Sequence, residues 1–299
     1  MQQDTSSQNA LQLGLIAGIA AFTMWGIFPI YLKVIEDVSS FEILAHRILW
    51  SVPFGALILS LRKQWPEVMM ALRDKYVIAM LSISSLAIAA NWLIYIWAIL
   101  HDRILEASLG YYINPLIYMV AGFFIFGEKL RKTQLFAVAL ATVGVLVLVI
   151  GAGIVPWVPI TLAVLFTVYG YIRKTAKTGA MPGLFIEVIL LSPAAALYII
   201  WLSSAGKAVF SSGDISVDML LVFSGPATVL PLVCFALAAR RVTFLTLGFL
   251  QYIGPTLQFM LGIYYGEALT LFHGICFGFI WAALAVFSFD ALRTYKKTA

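Results

Sequence analysis

Residues 104–128 read ILEASLGYYINPLIYMVAGFFIFGE, and residues 247–267, LGFLQYIGPTLQFMLGIYYGE, repeat their pattern. Tyr112, Ile113, Asn114 and Pro115 match Tyr252, Ile253, Gly254 and Pro255; Gly122 matches Gly262, and Gly127 with Glu128 matches Gly266 with Glu267 after a shift of one residue. The chain therefore reads as two copies of one unit. In each copy a proline sits inside a long apolar run, where it removes one helical hydrogen bond and frees the carbonyl about four residues earlier. Those carbonyls belong to Tyr111 and Gln251. Helical spacing gives each copy a polar stripe on an otherwise apolar segment: Ser108, Tyr111, Asn114, Tyr118 and Gly122 in one, Gly248, Gln251, Gly254, Gln258 and Gly262 in the other.

Composition fixes the class. With 62% hydrophobic residues, 11% charged residues and a mean hydropathy of +0.98, the chain has more apolar surface than a water-soluble globule can bury. A helical span needs about 20 apolar residues to cross roughly 30 Å of hydrocarbon, and the apolar runs predict ten: 11–32, 41–61, 76–100, 104–126, 133–150, 155–172, 183–203, 217–239, 243–265 and 269–290. The run lengths predict helices, because barrel strands would alternate over segments of about ten residues. Cys234 and Cys276 both lie in apolar runs and read as small buried hydrophobes. No cleavable leader is expected, since the first nine residues carry no lysine or arginine.

Fifteen of the 19 lysines and arginines fall at alternate helix ends, at 62–75, 129–132, 173–177, 240–241 and 293–297. The other ends hold Lys33, Arg103 and Lys207, and Arg47 lies inside a span. The positive-inside rule then predicts cytoplasmic termini. It makes the +5 net charge a topology signal with no implication of nucleic-acid binding. Five spans per unit is an odd number, so the second unit must be inverted. The expected fold is an all-α integral membrane protein of ten transmembrane helices in a 5+5 inverted-topology repeat, with units 1–150 and 151–299. Such repeats are typical of secondary transporters, whose substrate site lies near the midplane where irregular helices of the two halves meet.

The candidate site residues follow from polar or aromatic side chains at membrane depth. Tyr111, Tyr112 and Asn114 flank Pro115, and Gln251 and Tyr252 are expected to face them. All five can donate and accept, as a ligand with both amine and carboxylate requires. Asn91, Trp92 and Tyr95 lie mid-span in 76–100; for Asn91 a cavity-facing role and an interhelical hydrogen bond are both open. Trp25 and Phe28 share a face and can line an apolar wall. Arg47 could anchor a carboxylate through its planar fork, and His46 and Glu187 are candidates for proton coupling, or all three could belong to structural charge networks. Glu187 sits shallow enough to reach the cytoplasm, and Glu106 is placed to cap the helix it opens.

The residues also carry a resemblance. MWGIFPIYLK (24–33), FEILAHRILWS (41–51), NWLIYIWAILHDRILEASLGYYINPL (91–116), GEKL (127–130), ARRVTFLTLGFLQYIGPTLQF (239–259) and FGFIWAALAVFSFDAL (277–292) resemble the RarD group of the EamA branch of the drug/metabolite transporter superfamily. The likeness runs nearly the whole chain and is weakest from about 151 to 220. It implies ten helices in a 5+5 inverted repeat and export of small metabolites across the bacterial inner membrane, amino acids and amphipathic drugs among them.

Three function classes stand against one another. A secondary transporter works by alternating access, with kinked helices as hinges. A polytopic enzyme needs paired aspartates around a metal-bound diphosphate or a Gly-x-Ser-x-Gly nucleophile, and the sequence holds neither. A receptor or scaffold needs long loops or a soluble domain. The three histidines, at 46, 101 and 273, are scattered, so no metal is expected. No cofactor and no nucleotide is expected either, for there is no P-loop. The expected partners are a small-molecule substrate and the bilayer, with monomer and homodimer both open.

Overall fold

The computed structural model describes residues 2–126, 131–153, 155–242 and 244–298; side chains at 2–10, 118, 119, 122, 124–126, 152, 244, 245 and 291–298 are outside that description. Gly127 and Glu128, and the side-chain environments of Tyr118 and Gly122 in the first polar stripe, therefore lie outside the described residues. Twelve helices and no strand are found among the described residues: α1 (Gln2–Val34), α2 (Ser40–Leu61), α3 (Trp65–Arg73), α4 (Lys75–Leu100), α5 (Ile104–Phe126), α6 (Lys132–Ala152), α7 (Trp157–Thr175), α8 (Ala180–Ser204), α9 (Ile215–Ala239), α10 (Phe244–Leu250), α11 (Ile253–Tyr264) and α12 (Leu271–Thr298). Seven of them, α1, α2, α4, α6, α8, α9 and α12, are long and apolar enough to cross a membrane. Of the other predicted spans, α5 has 23 residues and α7 has 19.

Two elements differ from the sequence reading. The segment between the second and third spans, expected as a loop, holds the nine-residue α3. Pro66 sits in its first turn, where a missing N–H is harmless, and Val68 and Ala71 form its buried side. The run 243–265, expected as one helix, is divided into α10 and α11 by a turn at Gln251 and Tyr252. That turn lies three and four residues before Pro255, where the ring removes helical bonding. There the Tyr252 amide bonds back to Phe249 and Thr256 takes the Tyr252 carbonyl twice, through its amide (3.1 Å) and its hydroxyl (2.6 Å). Pro115 leaves α5 unbroken. The difference has a local cause: Gly248 and Gly254 flank the break, each costing about 1 kcal/mol of helix stability, where α5 carries Ser108 and Asn114.

The halves keep a common register. Ser40 and Ala180, Lys75 and Ile215, and Ile104 and Phe244 open helices 140 residues apart. Asp74 and Asp214 cap α4 and α9 through the same two amides, at 2.9 and 3.3 Å and at 2.9 and 3.4 Å. Pro53 and Pro193 occupy matching places inside α2 and α8. Three of the helix pairs that match in this register also meet, and they meet antiparallel. In α5 and α11, Glu267 reaches the amides of Ile104 and Leu105, and Tyr112 Oη lies 2.8 Å from Thr256 Oγ1. In α6 and α12, Thr133 bonds Asp290 at 2.5 Å while Gly144 packs on Cys276 and Phe279. In α2 and α8, Phe41 meets Tyr198 and Gly55 meets Phe185. Glycine permits the closest of the remaining approaches, where α9 lies on α2: a Cβ at Gly225 would collide with the Trp50 carbonyl.

Candidate functional site

The predicted site residues gather most closely around Arg47. It stands on α2, about 10 Å along the helix from its first residue at 1.5 Å per residue, and is 6% exposed. A guanidinium cannot shed its charge in a protein, so its burial must be offset by its neighbours. Nε donates to Thr228 Oγ1 on α9 at 2.8 Å, and Thr228 in turn donates to the Ser224 carbonyl at 2.8 Å. The guanidinium carbon lies 4.3 Å from the ring centroid of Trp92 on α4 and 4.9 Å from that of Phe28 on α1. Each desolvated stack of this kind contributes about 2 kcal/mol. Tyr31, Tyr95 and Tyr111 lie within electrostatic reach of the charge. Their rings chain together: Phe28 with Tyr31 at 5.2 Å, Phe28 with Tyr95 at 6.3 Å, Tyr95 with Tyr111 at 5.7 Å, Tyr111 with Phe166 at 6.2 Å. Among the described residues no carboxylate forms an ion pair with Arg47.

The structure divides the predicted site residues between three places. Trp92, Tyr95, Tyr111 and Arg47 come together in this cluster, and the Tyr95 hydroxyl is buried without a partner. Tyr112, next along α5, points the other way: it stacks on Tyr252 at 6.5 Å and meets Phe277 and Trp281 of α12. Tyr112 and Tyr252 thus face each other as expected, but in the layer between α5, α11 and α12. Asn114 is buried with Oδ1 unpartnered, and Gln251 is half-buried in the turn. Asn91 Nδ2 donates to the Leu162 carbonyl of α7 at 3.0 Å, an interhelical bond. Trp25 parts from Phe28 and packs with Phe22 and Phe235 at 5.5 and 5.9 Å. Sequence reasoning missed Thr228, Tyr31 and Phe166; a threonine and two aromatics in apolar helices carry no signal until the helices that hold them are placed.

His46 and Glu187 prove to be parts of packed networks. His46 Nδ1 accepts from Trp50 Nε1 at 3.3 Å, and its ring lies 4.6 Å from that of Phe210. Its neighbour Glu42 holds the segment before α9, taking the amides of Val209 and Phe210 at 2.8 and 3.0 Å. Glu187 does not reach solvent as its position in the sequence suggests; it is fully buried. Ser84 donates to it, Tyr169 donates at 3.4 Å, and Arg173 Nε lies 3.8 Å away. The cap of α5 also departs from expectation. Glu106 pairs with Arg103 at 3.2 Å, and Glu267, outside the helices, supplies the cap. Burial raises the Glu267 carboxyl above its ordinary range while the two amides pull it down.

Two cavities open at opposite ends of α2. One of about 670 Å³ is walled by Phe41, Trp97, His101 and Trp157 beside Glu36 and Asp37. The other, about 190 Å³, lies between Arg62, Gln64, Phe235 and Arg240. The Arg47 cluster sits between these ends, in the body of the bundle.

Comparison with known proteins gives a consistent result. The EamA-like transporter family profile matches residues 12–150. An uncharacterized transporter of Vibrio cholerae is 44% identical over 97% of this chain and 96% of its own length. Protein RarD of Escherichia coli is 40% identical over 96% of this chain and 97% of its own. A chloramphenicol-sensitive protein RarD of Pseudomonas aeruginosa is 28% identical over 96% and 97%. A solved crystal structure aligns at a TM-score of 0.58 and 22% identity over 91% of this chain and 96% of its own, a likeness of fold alone.

Proposed function

The chain belongs to the RarD group of the EamA-like transporter family and is a multi-pass membrane transporter; from that premise we propose that it exports small metabolites by alternating access between two inverted five-helix repeats, residues 1–150 and 151–299. The observation that carries this reading is the antiparallel meeting of three pairs of helices that match 140 residues apart, α2 with α8, α5 with α11 and α6 with α12. Units related by a twofold axis in the membrane plane bring each such helix onto its own equivalent, head to tail. The remaining contacts then come in matched pairs: α1 packs on α9 and α11, and α7 packs on α4 and α5. Two packings of nearly equal energy, one open to each side, follow from exchanging the roles of the halves. The cavities at opposite ends of α2 support the same reading.

The solutes are carboxylate-bearing or related amphipathic metabolites, amino acids and drugs among them. Arg47 anchors the polar end, and the rings of Trp92, Tyr95 and Tyr111 take the apolar body. The charge pattern supports a bacterial inner-membrane location with both termini cytoplasmic. Counterflow in proteoliposomes tests the proposal: an internal load of unlabelled solute should drive saturable uptake of the labelled one. Tyr111→Ala and Asn114→Ala should abolish it in folded protein. Wild-type flux in both variants would remove the site, and flux that does not saturate would replace a carrier by a channel.

A further inference from the structure

Glu187, Glu42, Glu106 and Asp290 each have at least one partner among the described residues. Glu187 has Ser84, Tyr169 and Arg173; Glu42 has two backbone amides; Glu106 has Arg103; Asp290 has Thr133 and Arg131. Like Glu42, Arg47 has no group of opposite sign among the described residues, but where Glu42 takes two amides, only one nitrogen of the Arg47 fork, Nε, is taken, by Thr228. The two terminal nitrogens have no hydrogen-bond acceptor among the described residues. Close by, the Tyr95 hydroxyl is a second buried group with no partner. The cluster thus holds a permanent positive charge, spare donors, and flat walls 4.3 and 4.9 Å from the guanidinium.

We infer that this cluster is selective for solutes of net charge −1, an aromatic or otherwise flat monocarboxylate without an ammonium group, over zwitterions and cations of the same skeleton. The inference rests on reading the cluster as the substrate site and narrows what that site takes. A carboxylate offers acceptors only, which matches the Arg47 fork and the Tyr95 O–H. It also supplies the counter-charge that the bundle leaves out, so binding relieves the desolvation of a cation already buried. An ammonium brings a second positive charge into the same low-dielectric space. On α5 the unpartnered Asn114 Oδ1 can accept an N–H, but it is neutral and cannot offset that charge. The rings of Trp92 and Phe28 already lie against the guanidinium, and Tyr95 and Tyr111 extend that aromatic surface beside it, which suits a flat body.

Three probes with one skeleton decide the matter: 3-phenylpropionate, phenylalanine and phenethylamine, the anion, zwitterion and cation. Binding is read as ligand-dependent thermal shift of the full chain in detergent, and transport as counterflow in proteoliposomes. The anion should bind at least about tenfold more tightly than the zwitterion, and the cation should give no saturable shift. Arg47→Gln should erase the difference between anion and zwitterion, whereas Arg47→Lys, which keeps the charge and loses the fork, should keep its sign at weaker affinity. Tyr95→Phe keeps the ring and its packing, so it tests the site even if Arg47→Gln fails to fold; its affinity for the anion should fall several-fold, and an unchanged anion affinity overturns the inference. Phenylalanine binding as tightly as phenylpropionate, or wild-type anion affinity in a folded Arg47→Gln protein, overturns the inference. If phenylalanine is both preferred and transported, the transport reading stands and the inference falls. If phenylpropionate binds with the predicted preference but is not moved, the inference stands and the transport reading falls. Binding of none of the three overturns the inference too.

Discussion

Arg47 and Glu187 occupy the eighth positions of α2 and α8, 140 residues apart in the same register, and carry opposite charges. Their surroundings have diverged. Glu187 is enclosed by Ser84, Tyr169 and Arg173, and the protein supplies its counter-charge. Arg47 is enclosed by ring faces and one hydroxyl, and the protein supplies none among the described residues. Positions in matching register thus hold a closed structural ion pair in one half and a cation without a counter-charge among the described residues in the other. Helices in one register can therefore differ in how they hold a buried charge, since helix packing follows the apolar surface while charge compensation follows a few polar atoms.

Breaking the closed pair should have the largest effect. Glu187→Leu leaves Arg173 beside an apolar group and strips Ser84 and Tyr169 of their acceptor; the expected loss is about 3–5 kcal/mol of stability, read by denaturant unfolding in mixed micelles. Adding Arg173→Met should recover most of that loss, and failure to recover it would show that Glu187 is not held chiefly by Arg173. Thr228→Val comes next, leaving Arg47 Nε as an unpaired charged donor at about 1–3 kcal/mol. Arg47→Gln should cost less than about 2 kcal/mol, because the lost cation–π stacking is offset by relief of an uncompensated charge. A cost equal to that of Glu187→Leu would erase the contrast between the two centres. Tyr169→Phe should have the smallest effect, about 0.6 kcal/mol, the usual worth of one interhelical hydrogen bond in a bilayer.

Much of the fold was legible in residue order. Run lengths located most of the long helices to within a few residues, though α1 begins nine residues before its apolar run and α12 ends eight residues after its own, and the matched prolines and glycines of 104–128 and 247–267 marked segments that meet. Arg47 was conspicuous as the basic residue placed inside a span. Its significance was not. Whether a buried arginine is paired depends on what the other helices present to it, and here the nearest groups come from positions 28, 92 and 228. Tyr111 and Tyr112 make the same point: adjacent residues on one helix point about 100° apart, and one joins the cation while the other joins the α12 layer. Periodicity separates such faces in a water-soluble helix, but α4, α5 and α8 are apolar nearly all round, because lipid and core reward the same side chains.

By itself the sequence determined that this chain lives in a bilayer as long helices and carries one proline-centred pattern twice, because hydropathy, run length and residue order are properties of the chain that survive any packing. Tertiary structure alone decided that α5 stays whole where its counterpart splits, that Glu187 meets Arg173, and that Arg47 meets no carboxylate among the described residues. These outcomes turn on which atoms of distant helices come within a few ångströms, and distance between helices is set by packing, which no single segment encodes.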